Sequence, residues 1–295
     1  MSENFDSALT YTSYLAVDEL LKLQRPLSTG PEHDEMLFII IHQTYELWFK
    51  QLIHEFKEAQ VAMESGDSHY SLAILGRIRT ILKVCVTQID ILETMTPLQF
   101  NAFRSYLSSS SGFQSAQYRK IEMYSTEFIN LVHKDKRTQF SVASPIPAMY
   151  EHIYWKEGAT EVGTGKKTLT LIQFEERYQN EFLELGEASK MTNLWQVYLR
   201  LTAEEQQSPA VINALKQNDV NVNINWPLAH YKSAVRYLQR DPVDIAATGG
   251  TNWQKYLPPR FQKVIFFPAL WSQEEQSEWG KGWVVKEIFG EEIQK

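Results

Sequence analysis

The chain reads as an all-α protein, a helical bundle with few or no strands, and three observations predict this. Apolar residues recur with helical spacing through long segments between about residues 31 and 134, with only short turns between them. Glycine and proline are scarce until the middle of the chain, and no stretch shows the strict two-residue alternation of a half-buried strand.

The elements follow in order. The first long helix is expected over about 31–65, closed by Ser65-Gly66-Asp67-Ser68, and the second over about 68–92. Thr96 followed by Pro97 is a helix start, with a hydroxyl to cap and a proline at the first helical position, launching a helix over 98–107. Residues 108–112 are small and polar, a loop before a helix over about 113–134. The glycine-rich stretch 157–167 is the best loop candidate, and 206–209 marks a second break. Helical patterning resumes over 171–201 and again over 226–240, where Pro227 fits the first turn of a new helix; residues 246–252 then interrupt it. Trp279 and Trp283 lie in an amphipathic C-terminal region that suits packing on the body or on a partner subunit.

With 295 residues and 43% hydrophobic content, the chain can bury a sizeable core, and nothing forces a split, so residues 1–295 read as one domain. A net charge of -7 without clustered lysine and arginine argues against nucleic acid or an anionic membrane as partner. The polar, acidic N-terminus has no signal-peptide pattern and the longest apolar run, 36–41, cannot span a bilayer, so a cytoplasmic location is expected. Cys85 is the single cysteine, so an intrachain disulfide or cysteine-based metal cluster is excluded. Any metal must rely on histidine, carboxylates or a prosthetic group.

Candidate chemistry begins at residues 33–50, HDEMLFIIIHQTYELWFK, where Phe38, His42, Tyr45 and Phe49 share one helical stripe. A planar apolar ligand would fit beside such a stripe; a core histidine satisfied by its neighbours is the alternative. Phe100, Arg104 and Leu107 fall at i, i+4 and i+7, setting one guanidinium among apolar neighbours, which suits a ligand carboxylate or a surface ion pair. His230, four residues after Trp226, could ligate a metal or haem iron through one nitrogen while its other N–H is oriented by an acceptor. The segment from Ala247 through Thr248, Gly249 and Gly250 to Asn252 resembles a ligand-covering loop and lacks the phosphate-binding lysine pattern. Zinc-protease spacing and a glycine-flanked serine are absent too.

Four separated blocks together resemble the tryptophan 2,3-dioxygenase family. They are Leu9-Thr-Tyr11-Thr-Ser-Tyr14-Leu15 with the following Asp18-Glu-Leu-Leu; residues 33–50; residues 92–97 through Phe103 and Arg104 to Ser110-Ser-Gly-Phe-Gln-Ser115; and Trp226-x-x-x-His230 followed by Thr248-Gly-Gly250. The resemblance implies a helical homotetramer, a dimer of dimers, that uses O2 to open the indole ring of L-tryptophan between C2 and C3. The product would be N-formylkynurenine, with both oxygen atoms retained and no external reductant consumed. It further implies one b-type haem per subunit, ferrous in the active state, with His230 as axial ligand and His42 on the opposite side near the indole N–H. Phe38 would line the indole pocket with Phe100 and Leu107; Arg104 would bind the carboxylate; Thr248 would meet the ammonium and carboxylate; Ser111 and Gly112 would flank the haem pocket. Tyr11 and Tyr14 would reach into a neighbouring subunit's site. Three departures stand out: the loop reads Ala247-Thr-Gly-Gly-Thr251-Asn252-Trp253 where the family usually has Gly-Thr-Gly-Gly-Ser-Ser-Gly; Pro227 replaces a basic residue; and about 134–225 matches only loosely. A related haem-dependent oxygenase that acts on a tryptophan derivative or adds one oxygen is the alternative enzyme. A haem-binding or sensing protein is the non-enzymatic one, against which Arg104 and Thr248 argue.

Overall fold

The computed structural model describes residues 9–161, 164–238 and 257–281. Its α-helices are α1 (Tyr11–Leu15), α2 (Val17–Leu20), α3 (Asp34–Glu64), α4 (Ser68–Leu92), α5 (Pro97–Phe103), α6 (Ala116–Ser125), α7 (Ile146–Tyr150), α8 (Tyr154–Gly158), α9 (Leu169–Ser189), α10 (Leu194–Leu199), α11 (Ala203–Gln206), α12 (Pro209–Val220), α13 (Trp226–Leu238), α14 (Pro259–Gln262) and α15 (Gln273–Ser277). Extended pairing among the described residues is confined to two isolated bridges, Val132 with Ile153 and Thr160 with Lys167. The all-α expectation holds.

α3 and α4 form the central antiparallel pair. Gly66 adopts φ +76°, the left-handed conformation that glycine accepts without strain. This lets Asp67 N–H reach back to the Ala62 carbonyl (3.0 Å) and Gly66 N–H to Met63 (3.1 Å), closing α3. The Asp67 carboxylate then caps α4 by accepting from Tyr70 N–H at 2.9 Å. Leu52, Phe56 and Ala59 bury against Ile74, Leu75, Ile78 and Leu82, and Arg77 clasps both oxygens of buried Glu55 (3.0 and 2.9 Å). α6 lies along α3, pinned by Gln60 to the Tyr124 carbonyl (3.0 Å) and by Gln117 to the Glu46 carbonyl (2.7 Å). Beyond it, α9 adds Phe174 and Phe182 to an aromatic cluster with Tyr150 and Trp155.

The N-terminal arm is tied to α3 by Glu35, whose carboxylate accepts from the N–H groups of Leu27 (2.7 Å) and Ser28 (2.9 Å) and from the Ser28 hydroxyl. Burial pushes this carboxyl's pKa up, but the three hydrogen bonds outweigh burial and hold it below the usual range.

Two expected helices are broken. The segment 113–134 becomes a 3₁₀ turn Gly112–Gln114, then α6, then a 3₁₀ turn Phe128–Leu131. Thr126 sits extended at the break, its hydroxyl donating to the Phe266 carbonyl while accepting from the Asn130 amide (2.9 Å), so tertiary hydrogen bonds replace helical ones. The segment 171–201 divides into α9 and α10 at Asn193, whose Nδ2 donates to the Ser189 carbonyl (2.8 Å) while its Oδ1 accepts from Gln196 N–H (3.0 Å). One side chain thus ends one helix and starts the next.

The third difference concerns Pro227, which does not open a helix. α12 runs through a π-helical turn, Asn221–Asn225, into α13, and Pro227 lies inside that continuous run. A proline lacks the N–H and clashes with the carbonyl one turn back, and the wider π turn is a usual way to absorb such an interruption. Buried Asp219 secures the run to the segment after residue 257, accepting from Phe266 N–H (3.0 Å), Phe267 N–H (3.1 Å), Trp271 Nε1 (2.9 Å) and Asn223 Nδ2 (2.7 Å). Trp271 meets buried Trp279 edge-on at 5.1 Å, so this tryptophan pair packs on the body; Trp283 lies outside the described residues. No helix among the described residues is long and apolar enough to cross a membrane.

Candidate functional site

Apart from the main core, a second apolar cluster gathers Met95, Phe100, Phe103 and Tyr237, with Phe38, Leu107, Tyr231 and Val235 packed against it. It joins α3, α5 and α13, the elements that carry the residues singled out above.

On α3 the stripe forms as its spacing predicts. The Phe38 and His42 ring centroids are 4.1 Å apart, His42 meets Tyr45 edge-on at 6.3 Å, and Tyr45 stacks on Phe49 at 6.2 Å. Phe38 also touches Phe103 (5.5 Å) and Phe100 (6.1 Å). From α13, which packs on α4 and α5, Trp226 reaches Tyr45 (5.0 Å) and Phe49 (5.7 Å) on α3 with its ring.

The two histidines are built alike. His42 Nδ1 lies 2.7 Å from the Phe38 carbonyl, and His230 Nδ1 lies 3.4 Å from the Trp226 carbonyl, each four residues back. A carbonyl can only accept, so both Nδ1 atoms carry the proton and both Nε2 atoms keep a lone pair. Burial drives the His230 pKa down to about 4; the Trp226 carbonyl opposes this, and the proximity of His42, which would repel a second positive charge, adds a further downward push. Burial likewise lowers His42, against the Phe38 carbonyl and the Glu46 charge. Each residue as a whole is only partly buried. The result is two neutral imidazoles that feel each other electrostatically, each with one basic nitrogen uncommitted to its own helix.

α5 starts on a capping box at Thr96, which accepts from Gln99 N–H (3.3 Å) while Gln99 Oε1 accepts from Thr96 N–H (2.8 Å). The expected helix 98–107 tightens at Arg104 into a 3₁₀ segment, Arg104–Leu107. In that geometry Arg104 and Leu107, three apart, eclipse on one face, so they stay together although the α-helical register is lost. Phe100 is buried, and Arg104 and Leu107 are partly so. Ser108 follows with φ +49° and ψ -123°, a strained conformation for a residue with a side chain. Ser111 caps the Gly112–Gln114 turn, accepting from Phe113 N–H at 3.3 Å, and Gly112 is exposed.

Tyr11 and Tyr14 stand apart from this cluster within the chain, 77% and 72% exposed on α1. Leu9, Leu15, Leu21, Leu23 and Leu27 are exposed on the same arm. Thr248 and the loop 247–253 lie outside the described residues.

Sequence reasoning missed Phe103, Trp226 and Tyr237 as parts of the site. Tyr237 donates its hydroxyl to the Leu92 (2.7 Å) and Met95 (2.9 Å) carbonyls, and its ring contacts Phe100 at 5.4 Å, tying α13 to the α4–α5 corner. A signal for Trp226 was present: each histidine has an aromatic residue four positions before it, whose carbonyl orients the imidazole.

A profile of the family described as tryptophan 2,3-dioxygenase matches residues 2–140. A protein named tryptophan 2,3-dioxygenase from Herpetosiphon aurantiacus is 60% identical over 289 residues, covering 90% of this chain and 97% of the relative. One of the same name from Anaeromyxobacter dehalogenans is 59% identical, with 90% and 95% covered. A third, from a Nocardioides species, is 35% identical, with 92% and 98% covered. Similarity at this level along nearly the full length of both partners means that the chain belongs to the tryptophan 2,3-dioxygenase family.

Proposed function

We propose that the chain cleaves the indole C2–C3 bond of L-tryptophan with O2, retaining both oxygen atoms in N-formylkynurenine, as a haem-dependent dioxygenase of the cytoplasm. The observation that carries this reading is the pair of imidazoles, His42 and His230, each with Nδ1 on the carbonyl four residues back, beside an aromatic cluster that takes in Phe38, Phe100 and Leu107.

The family is haem-dependent, and the donor chemistry here fits that group. His230 is neutral, its Nδ1–H is engaged by the Trp226 carbonyl, and its Nε2 lone pair is the donor an iron requires. In this reading His230 holds one b-type haem per subunit, and Ser111 and Gly112 border it. When bound, the haem supplies the centre at which O2 is activated.

The side chains do the rest by positioning. His42, with Nδ1–H committed to the Phe38 carbonyl, offers Nε2 as acceptor to the indole N–H. Phe38, Phe100 and Leu107 surround the indole and exclude water. Arg104 binds the α-carboxylate through a charge-assisted pair, and Thr248 is the residue assigned to the ammonium and carboxylate by the family resemblance. Holding the reacting atoms in contact is the main catalytic contribution in this arrangement. The exposed apolar arm supports a homotetramer in which Tyr11 and Tyr14 complete a neighbour's site.

The test is turnover. The haem-loaded chain, reduced without oxygen and then given L-tryptophan and O2, is expected to consume both and to accumulate the absorbance of N-formylkynurenine. Haem binding without tryptophan consumption would reject the enzymatic reading.

A further inference from the structure

The helical run that carries His230 holds a proline just past its π turn, and a residue from another helix bonds to the carbonyl five residues before that proline. The helical run widens into a π turn at Asn221–Asn225, where Trp226 N–H reaches five residues back to the Asn221 carbonyl. One residue further on, the same register would send the N–H of residue 227 to the Val222 carbonyl. Residue 227 is proline and has no N–H to send. Val222 is 0% exposed, so water cannot stand in. The donor is the hydroxyl of Tyr118 on α6, 3.0 Å from the Val222 carbonyl oxygen.

The same side chain also touches the next link. The Tyr118 ring stacks on the Trp226 indole with centroids 6.0 Å apart and planes inclined by 29°. Trp226 in turn orients His230 twice, through its carbonyl at Nδ1 and through its ring, which meets the imidazole edge-on at 4.3 Å. On the other side of the π turn, Asn225 donates to Asn221 (2.9 Å) and Asn223 to Asp219 (2.7 Å), so the turn is held from both flanks.

We propose that Tyr118 is the positioning residue for His230: its hydroxyl supplies the hydrogen bond that Pro227 cannot make, and its ring fixes Trp226, so that the direction of His230 Nε2 is set from α6. The inference rests on the reading of His230 as the haem ligand. It also gives Pro227 a consequence, because that residue creates the need for the Tyr118 hydroxyl.

The experiment uses the full, haem-loaded chain and four variants, Tyr118→Phe, Pro227→Ala, their combination, and His230→Ala. The readouts are the iron–histidine stretching band of the ferrous protein and the rate of haem transfer to an apoprotein acceptor. Tyr118→Phe, which keeps the ring, is expected to retain haem but to shift or split the band and to speed haem loss by roughly tenfold or more. Adding Pro227→Ala restores an N–H at position 227 and is expected to return both readouts toward those of the parent. A Tyr118→Phe protein indistinguishable from the parent overturns the proposal, and so does a defect that Pro227→Ala leaves at full size. If Tyr118→Phe alone does not accumulate as folded protein, recovery of folded, haem-loaded chain in the double variant supports the proposal and failure to recover overturns it. His230→Ala separates the two levels. An unchanged iron–histidine band in that variant removes the ligand assignment and the proposal with it. Loss of the band there, with Tyr118→Phe unaltered, removes the proposal alone.

Discussion

Acidifying the haem-free chain reads the environment of His230 directly. An unperturbed imidazole titrates near 6.5, whereas burial holds His230 at about 4 in the fold. Between those two values the unfolded chain takes up a proton that the folded chain refuses, so stability falls as pH falls through that window. Above it His230 contributes no pH dependence, and below it the penalty is constant. At about 1.4 kcal/mol per pH unit the full penalty is roughly 3 kcal/mol. The residue as a whole is only partly buried, and screening reduces the expected loss to about 2 kcal/mol. That is a large share of the ~5–15 kcal/mol that typically separates folded from unfolded states. Urea unfolding followed by tryptophan fluorescence, at neutral pH and near the lower end of the window, measures it in the parent and in His230→Phe. Carboxyls such as Asp219 and Glu122 titrate in both proteins and cancel in the difference. The parent should lose about 2 kcal/mol more than the variant on acidification. Equal losses, or a larger loss in the variant, would refute a buried neutral His230.

The remaining expectations concern the site and the assembly. His42→Ala should keep the haem, with its absorption spectrum close to the parent's, and lower turnover by roughly ten- to a thousandfold, the range for losing a positioned hydrogen bond. Arg104→Leu should weaken L-tryptophan by a hundredfold or so, because a desolvated carboxylate without its charged partner costs several kcal/mol. It should penalise tryptamine, which has no carboxylate, far less; equal losses for both ligands would make Arg104 a support for its own 3₁₀ turn. Removing residues 1–15 should lower activity and shift sedimentation toward smaller species, because the arm exposes Tyr11, Tyr14 and several leucines that a neighbouring subunit would cover.

Much of the fold was legible because its signals are local. Helical spacing of Phe38, His42, Tyr45 and Phe49 predicts the stripe that the rings form, and Ser65-Gly66-Asp67 predicts the turn that Gly66 makes with positive φ. The breaks at Thr126 and Asn193 were not legible, since each depends on a side chain choosing a backbone partner that the pattern of apolar residues does not reveal. Pro227 misled for a related reason. A proline after a polar stretch reads as a helix start, whereas here it lies inside a run that a π turn widens, a feature the pattern of apolar residues does not reveal. For the candidate site, spacing and resemblance nominate the two histidines and Arg104. Trp226 and Tyr237 were not, because their roles are to hold other residues across helix contacts that the linear order conceals.

The most direct test of the proposed activity is the mass of the product formed from L-tryptophan under oxygen-18 gas. The account predicts N-formylkynurenine carrying two labelled oxygen atoms when the product is isolated before its carbonyls exchange with water. A product that carries one labelled atom on an intact indole would contradict ring cleavage and make the chain a monooxygenase built on the same helices.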